Sequence, residues 1–204
     1  MHFKGIIFDL GNVVFSYSFE RTFETWASLT DNPAKEIRDR FKFDEAFKKF
    51  ERNDISIEQF IDHVSKELRI NFDRKTFEEG WNDIYSGIIP GINELLSALK
   101  NKYRIVGLTN TNAIHANVWP NIYYDTMQHF EKIYSSHEIR ARKPEEQAFR
   151  IVLDHMKLDA GEILFLDDIE RNIIAAKSIG MYAIQVTSFQ QMIEEMKQIK
   201  ITFD

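Results

Sequence analysis

Apolar and polar positions along the chain fall into two regimes. Ile6-Ile7-Phe8, Tyr103 to Leu108, Ile163 to Leu166 and Tyr182 to Val186 are short, nearly continuous apolar runs, with a further short segment at Lys132 to Ser135. Such runs predict strands buried on both faces, as in a parallel sheet. Between them, apolar residues recur at helical spacing. Ile92, Leu95, Leu96 and Leu99 follow Pro90-Gly91, and Ala148, Phe149, Val152, Leu153 and Met156 follow Lys143-Pro144. One helix is expected to run to a C-cap at Gly180 and another to close the chain over 189–199. Strands alternating with helices predict an α/β fold with a doubly wound parallel sheet.

Residues 18–87 break this alternation. They are polar, rich in aromatics and helix-like, with helices expected over 18–30, 33–52 and 73–86. The clearest begins at Ser56, where Ser56 and Gln59 form a capping-box pattern ahead of Ile57, Phe60, Ile61, Val64 and Leu68. With no strand expected inside it, the stretch reads as an all-helical insertion over a core formed by 1–17 and 88–204.

Composition narrows the classes. The chain has 204 residues, 44% hydrophobic and 28% charged, which suits a soluble globular protein with a substantial core. Its net charge of −6 and scattered basic residues argue against a nucleic-acid partner. With no cysteine there is neither a disulfide nor a thiolate metal site, which favours a cytoplasmic protein. No run approaches the ~18 apolar residues of a membrane span, and the opening Met1-His2-Phe3-Lys4 lacks the pattern of a signal peptide.

Three expected strands end in polar residues: Asp9, Thr109-Asn110 and Asp167-Asp168; Lys143 precedes a helix between the last two. In open α/β sheets ligands bind at the carboxyl ends of the strands, so a parallel sheet would gather all four on one rim. Separately, each has an ordinary alternative: a strand-end aspartate as N-cap, Thr109-Asn110 as a turn, Lys143 as a solvated lysine. Together they suit phosphoryl transfer. Asp9 can attack phosphorus, and Mg²⁺ favours carboxylate oxygens of the kind Asp9, Asp167 and Asp168 supply. Thr109, the Asn110 amide and Lys143 can hold the phosphoryl oxygens.

These segments resemble the motifs of the haloacid dehalogenase-like hydrolase superfamily. Phe8-Asp9-Leu10-Gly11-Asn12-Val13 is similar to its first motif, Leu108-Thr109-Asn110 to the second, Arg142-Lys143-Pro144 to the third, and Phe165-Leu166-Asp167-Asp168 with Asn172 to the fourth. Asn110-Thr111-Asn112, His115 and Trp119-Pro120 look most like a bacterial branch that includes sugar-1-phosphate phosphatases. The resemblance implies a Rossmann-like core with a helical cap, and an aspartyl-phosphate formed on Asp9. It further implies Mg²⁺ held by Asp9, the Gly11 carbonyl and Asp168 directly and by Asp167 through water, with Thr109, Asn110 and Lys143 on the phosphate.

Phosphatases of that superfamily usually carry a second aspartate two residues after the nucleophile, where this chain has Gly11. Glycine transfers no proton, and general acid–base help is typically worth ~10²–10⁴-fold. His115 is a candidate substitute, set against its reading as a packing histidine. Phe43, Glu45, Trp81, Asn112, His115 and Trp119 are the expected substrate-pocket residues.

The leading expectation is a Mg²⁺-dependent phosphomonoesterase of a small phosphorylated metabolite. A silent phosphometabolite-binding protein is the alternative that Gly11 favours. A dehalogenase would leave Asp167-Asp168 without a purpose, and a response-regulator receiver has no room for the helical insertion.

Overall fold

The computed structural model describes residues 2–203. β1 (Gly5–Phe8) is buried throughout, and its side chains alternate between two cores: Ile6 and Phe8 face one, Ile7 the other. β2 (Phe15–Tyr17) follows, and then five helices: α1 (Phe19–Thr30), α2 (Ala34–Arg40), α3 (Glu45–Glu51), α4 (Ile57–Leu68) and α5 (Arg74–Asn82). β3 (Tyr85–Ile88) returns the chain to the sheet through α6 (Ile92–Leu99) and β4 (Arg104–Thr109). Three single-turn helices, α7 (Ala113–Ala116), α8 (Trp119–Ile122) and α9 (Tyr124–Met127), lead to β5 (Lys132–Ser135). The remainder is α10 (Ser136–Ile139), α11 (Glu146–Met156), β6 (Ile163–Asp167), α12 (Glu170–Ser178), β7 (Tyr182–Gln185) and α13 (Phe189–Gln198).

The main sheet is parallel with strand order β5-β4-β1-β6-β7. β1 lies at its centre, pairing Phe8 with Gly107 on one side and with Leu166 on the other. The chain builds outward on the β4 side and then crosses to β6, so the direction of winding changes beside β1. That is the switch point at which open α/β sheets bind ligands. α6 and α13 cover one face of the sheet, α11 and α12 the other.

The five helices from α1 to α5 carry a separate core of aromatics, with Trp26, Phe60, Phe77 and Trp81 almost wholly buried. The capping box at Ser56 forms as expected. Two expectations here need correction. The helix expected over 33–52 is two helices, because Phe41 is extended and Asp44 caps α3 by accepting from the Phe47 N–H at 3.1 Å. The helix expected over 73–86 stops at Asn82, and the following residues form β3, antiparallel to β2. This two-stranded ribbon, absent from the sequence expectation, carries the chain into and out of the helical insertion. Among the described residues, no helix is long and apolar enough to cross a membrane.

Candidate active site

The parallel sheet sets the tips of β1, β4 and β6 side by side, and the four polar groups expected on one rim meet there. Lys143 is the hub. Its Nζ is completely buried, 2.8 Å from Asp9 Oδ1 and 2.7 Å from Asp167 Oδ2. The lysine backbone is fixed as well: Asn110 Nδ2 donates to the Lys143 carbonyl and Asn110 Oδ1 accepts from the Lys143 N–H, both at 2.8 Å. Asn110 thus uses its side-chain amide to position Lys143, which leaves its backbone as the part free to meet a ligand. Thr109 is buried at the end of β4.

The carboxylates differ in their surroundings. Asp167 Oδ1 accepts from the Ile169 N–H at 2.8 Å, and Asn172 Nδ2 reaches both of its oxygens at 2.9 and 3.0 Å. With Lys143 added, Asp167 is fully engaged by protein donors. Asp9 Oδ1 accepts from the Leu10 N–H at 2.7 Å, whereas Oδ2 has no hydrogen-bond partner among the described residues. The half-buried Asp168 carboxylate accepts from Asn12 Nδ2 at 3.2 Å through Oδ2.

Charge is unbalanced at this point. Carboxylate oxygens of Asp9, Asp167 and Asp168 lie within 4.8 Å of one another, and among the described residues Lys143 is the one cation in contact with them. Burial pushes the Asp9 carboxyl up to about 8, against the pull of Lys143 and with further upward pressure from Asp167 and Asp168. Asp168 is also raised, mainly by burial. Lys143 is raised above its ordinary value because the two carboxylates outweigh its own desolvation. The buried Asn172 Oδ1 beside them has no hydrogen-bond partner among the described residues. A cluster of hard oxygen donors with surplus negative charge fits a small divalent cation.

Above the cluster is a cavity of about 140 Å³, walled by Tyr17, Phe19, Phe43, Phe47 and Trp119. One ion pair enters this wall: Arg142 Nε donates to Glu51 Oε2 at 2.7 Å, with both side chains about nine-tenths buried. Burial raises the Glu51 carboxyl even though Arg142 opposes it. The same end of α3 is fastened by Arg52 to Glu145 at 2.7 Å.

Asn112 and His115 reach the cavity, but their polar atoms face each other and α5. Asn112 Nδ2 lies 3.1 Å from His115 Nδ1, His115 Nε2 lies 2.8 Å from the Trp81 carbonyl, and Trp81 Nε1 donates to Asn112 Oδ1 at 3.3 Å. The imidazole stacks on the Trp81 indole with ring centres 5.0 Å apart. Burial lowers its pKa to about 4, so the ring is neutral and both nitrogens are occupied. That geometry joins the helical insertion to the sheet and leaves His115 no free atom for proton transfer. Of the other expected pocket residues, Phe43 and Trp119 line the cavity; Trp81 belongs to the aromatic core and Glu45 pairs with Arg52.

The polar cavity residues Tyr17, Glu51 and Arg142 carry no expected role in the sequence. Tyr17 lies on the unexpected β2. Glu51 reads as one more charge on a polar helix. Arg142 lies in the third motif, where the chemistry expected from sequence rests on its neighbour Lys143.

The chain is similar to several known proteins. A 72-residue stretch, 35% of the chain, is 33% identical to rat bifunctional epoxide hydrolase 2, and the match spans 13% of that protein's length. D-ribitol-5-phosphate phosphatase of Bacteroides thetaiotaomicron is 20% identical over 188 residues, covering 89% of this chain and 91% of the phosphatase. Among solved structures, a haloacid dehalogenase family enzyme of Bacteroides thetaiotaomicron, bt-2542, in complex with magnesium and inorganic phosphate, superposes with a TM-score of 0.79. It is 28% identical, over 92% of this chain and 96% of its own. Residues 6–186 match the family as a whole, and the chain belongs to the haloacid dehalogenase-like hydrolases.

Proposed function

We propose that this hydrolase is a Mg²⁺-dependent phosphomonoesterase acting on a small phosphorylated metabolite, a sugar or polyol phosphate. The observation that carries the reading is the Lys143 ammonium held between Asp9 and Asp167, beside a third carboxylate and below the aromatic-walled cavity. Asp9 is the nucleophile. Its Oδ1 is fixed by the Leu10 N–H and Lys143, which leaves Oδ2 to attack phosphorus and form an aspartyl-phosphate as the ester P–O bond breaks. Water then releases inorganic phosphate and restores the carboxylate.

Asp9, Asp168 and the Gly11 carbonyl would hold Mg²⁺, with Asp167 outside them as the residue that orients Lys143. When bound, the cation supplies positive charge to offset repulsion between the phosphate and the acidic cluster. Lys143 and Thr109 bind phosphoryl oxygens, and the rigid pairing of Asn110 with the Lys143 backbone keeps the ammonium in place. Residues 18–87 act as a cap over the core of 1–17 and 88–204. The aromatic wall suits the carbon face of a sugar, with Glu51 and Arg142 available to its hydroxyls.

The reading agrees with the bound magnesium and phosphate of bt-2542 and with the ribitol-phosphate phosphatase relative. Phosphate release from a panel of sugar and polyol phosphates tests it. Turnover is expected with Mg²⁺, and it should disappear on chelation and in Asp9→Asn. If the wild type with Mg²⁺ releases phosphate from no member of the panel, the reading is wrong.

A further inference from the structure

The structure gives a physical reason for the glycine two positions after Asp9. A Cβ on Gly11 would lie 2.4 Å from Tyr17 Cε1 and 2.9 Å from Cδ1, far inside van der Waals contact. The Tyr17 ring therefore stands where a side chain at position 11 would stand. Several contacts fix it there. The Tyr17 N–H donates to Asn12 Oδ1 at 3.3 Å, and Asn12 in turn reaches Asp168. The ring packs edge-on against Phe19 with centres 6.1 Å apart, and β2 is held by β3. The Tyr17 hydroxyl has no hydrogen-bond partner among the described residues, and the side chain lines the same cavity as Asp9.

We propose that Tyr17 is a catalytic residue of this chain, its hydroxyl donating a hydrogen bond to the leaving-group oxygen of the phosphoester from the space that Gly11 leaves open. The inference rests on the phosphomonoesterase reading and deepens it. When Asp9 attacks phosphorus, the P–O ester bond breaks and its electron pair passes to the leaving oxygen. The Tyr17 O–H stabilises that developing charge, and water supplies the proton that completes the alcohol. A phenol has an ordinary pKa of ~10 and keeps its proton at neutral pH, so Tyr17 acts as a fixed donor and not as a shuttle. Without a shuttle the alkoxide depends more on its own stability. Anomeric phosphates, whose leaving oxygen is more acidic than a plain alcohol, are accordingly the substrate class that this arrangement favours.

Tyr17→Phe keeps the ring and its packing and removes only the hydroxyl. The test is kcat/KM with Mg²⁺ for wild type and variant across aryl and alkyl phosphates of rising leaving-group pKa. The loss is expected to grow from about threefold on p-nitrophenyl phosphate to about a hundredfold on an alkyl phosphate, the scale of removing one donor to a developing oxyanion. An equal loss on every substrate, or none, against an active wild type overturns the inference and leaves the phosphatase reading standing. A wild type that releases phosphate from neither series overturns both.

Discussion

The two walls of the cavity are built on different physics. On the sheet side, polar groups hold one another: Asn110 grips the Lys143 backbone, Lys143 bridges Asp9 and Asp167, and Asn172 closes on Asp167. Few of their donors or acceptors are left to spare. On the side of the helical insertion, aromatic packing does the holding: Trp26 and Phe77 both stack on Trp81 and meet each other at a tilt, and the polar ties are few and specific. A polar network fixes chemistry to within fractions of an ångström, because each group has one satisfactory geometry and is costly to leave unpaired. An apolar contact surface is more tolerant of sliding. On the proposed function, the sheet side would hold a reaction still and the helical side would shape and cover a ligand.

Removing Lys143 is the strongest way to break the sheet-side wall. Lys143→Ala leaves Asp9 and Asp167 buried without their counter-charge, and the loss of one partner from a buried pair costs about 3–5 kcal/mol. Phosphate release should fall below detection and the urea midpoint should drop accordingly. Asp9→Asn should also abolish turnover, yet without loss of stability in chelator. Burial raises the Asp9 carboxyl from 3.8 to about 8 in the folded protein. Between those values the native state keeps a proton that the unfolded chain has released, so the Asp9 contribution to stability is greatest below pH 3.8 and declines as pH rises to about 8. Denaturation of both proteins in EDTA at pH 5 and pH 8 checks this. An Asp9→Asn protein less stable than wild type at pH 8 would contradict it.

A smaller effect is expected across the cavity. Arg142→Ala strands the buried Glu51 and should cost about 3 kcal/mol, at the low end for a broken buried pair. Glu51→Gln should cost ~1 kcal/mol, because burial already disfavours the ionised acid and the amide still accepts from Arg142. Hydrogen exchange should locate the loosening in α3 and the 140–145 loop, while β1 and β6 stay protected. Equal exchange throughout would mean that the two walls are one cooperative unit and that the contrast between them is wrong.

The same contrast explains what the sequence revealed. Asp9, Thr109-Asn110 and Asp167-Asp168 were legible because each ends an apolar run, and parallel strands align their tips. The division of labour between Asp167 and Asp168 was not legible, because it arises only in the fold, where Lys143 and Asn172 engage Asp167 and leave Asp168 more open. β2 is only three residues long, and β3, Tyr85-Ser86-Gly87-Ile88, has no continuous apolar run and no fully buried residue, so neither strand, nor Tyr17 with them, stands out in the sequence. Glu51 and Arg142 are 91 residues apart, and nothing local in either marks the other. The aromatic density of 18–87 was plain, but which rings face the cavity depends on the break between α2 and α3.

His115 gives the mildest and most specific probe of the join between the two walls. Its ring stacks on Trp81, and its nitrogens meet Asn112 and the Trp81 carbonyl. Burial lowers its pKa from 6.5 to about 4, so the unfolded chain takes up a proton there before the native state does. The stability it contributes is present above pH 6.5 and is lost as pH falls toward about 4. This slope is opposite in sign to that of Asp9 over the same interval. His115→Phe keeps an aromatic stack and removes the titration, and it should cost ~1–3 kcal/mol at neutral pH through the unsatisfied carbonyl and amide left behind. The diagnostic readout is the difference in stability between wild type and variant from pH 7 to pH 4.5. It should narrow as the medium becomes acidic, since only the wild type pays the proton-linked penalty. A difference that stays constant with pH would mean that the imidazole titrates normally and that the join between the walls is open to water.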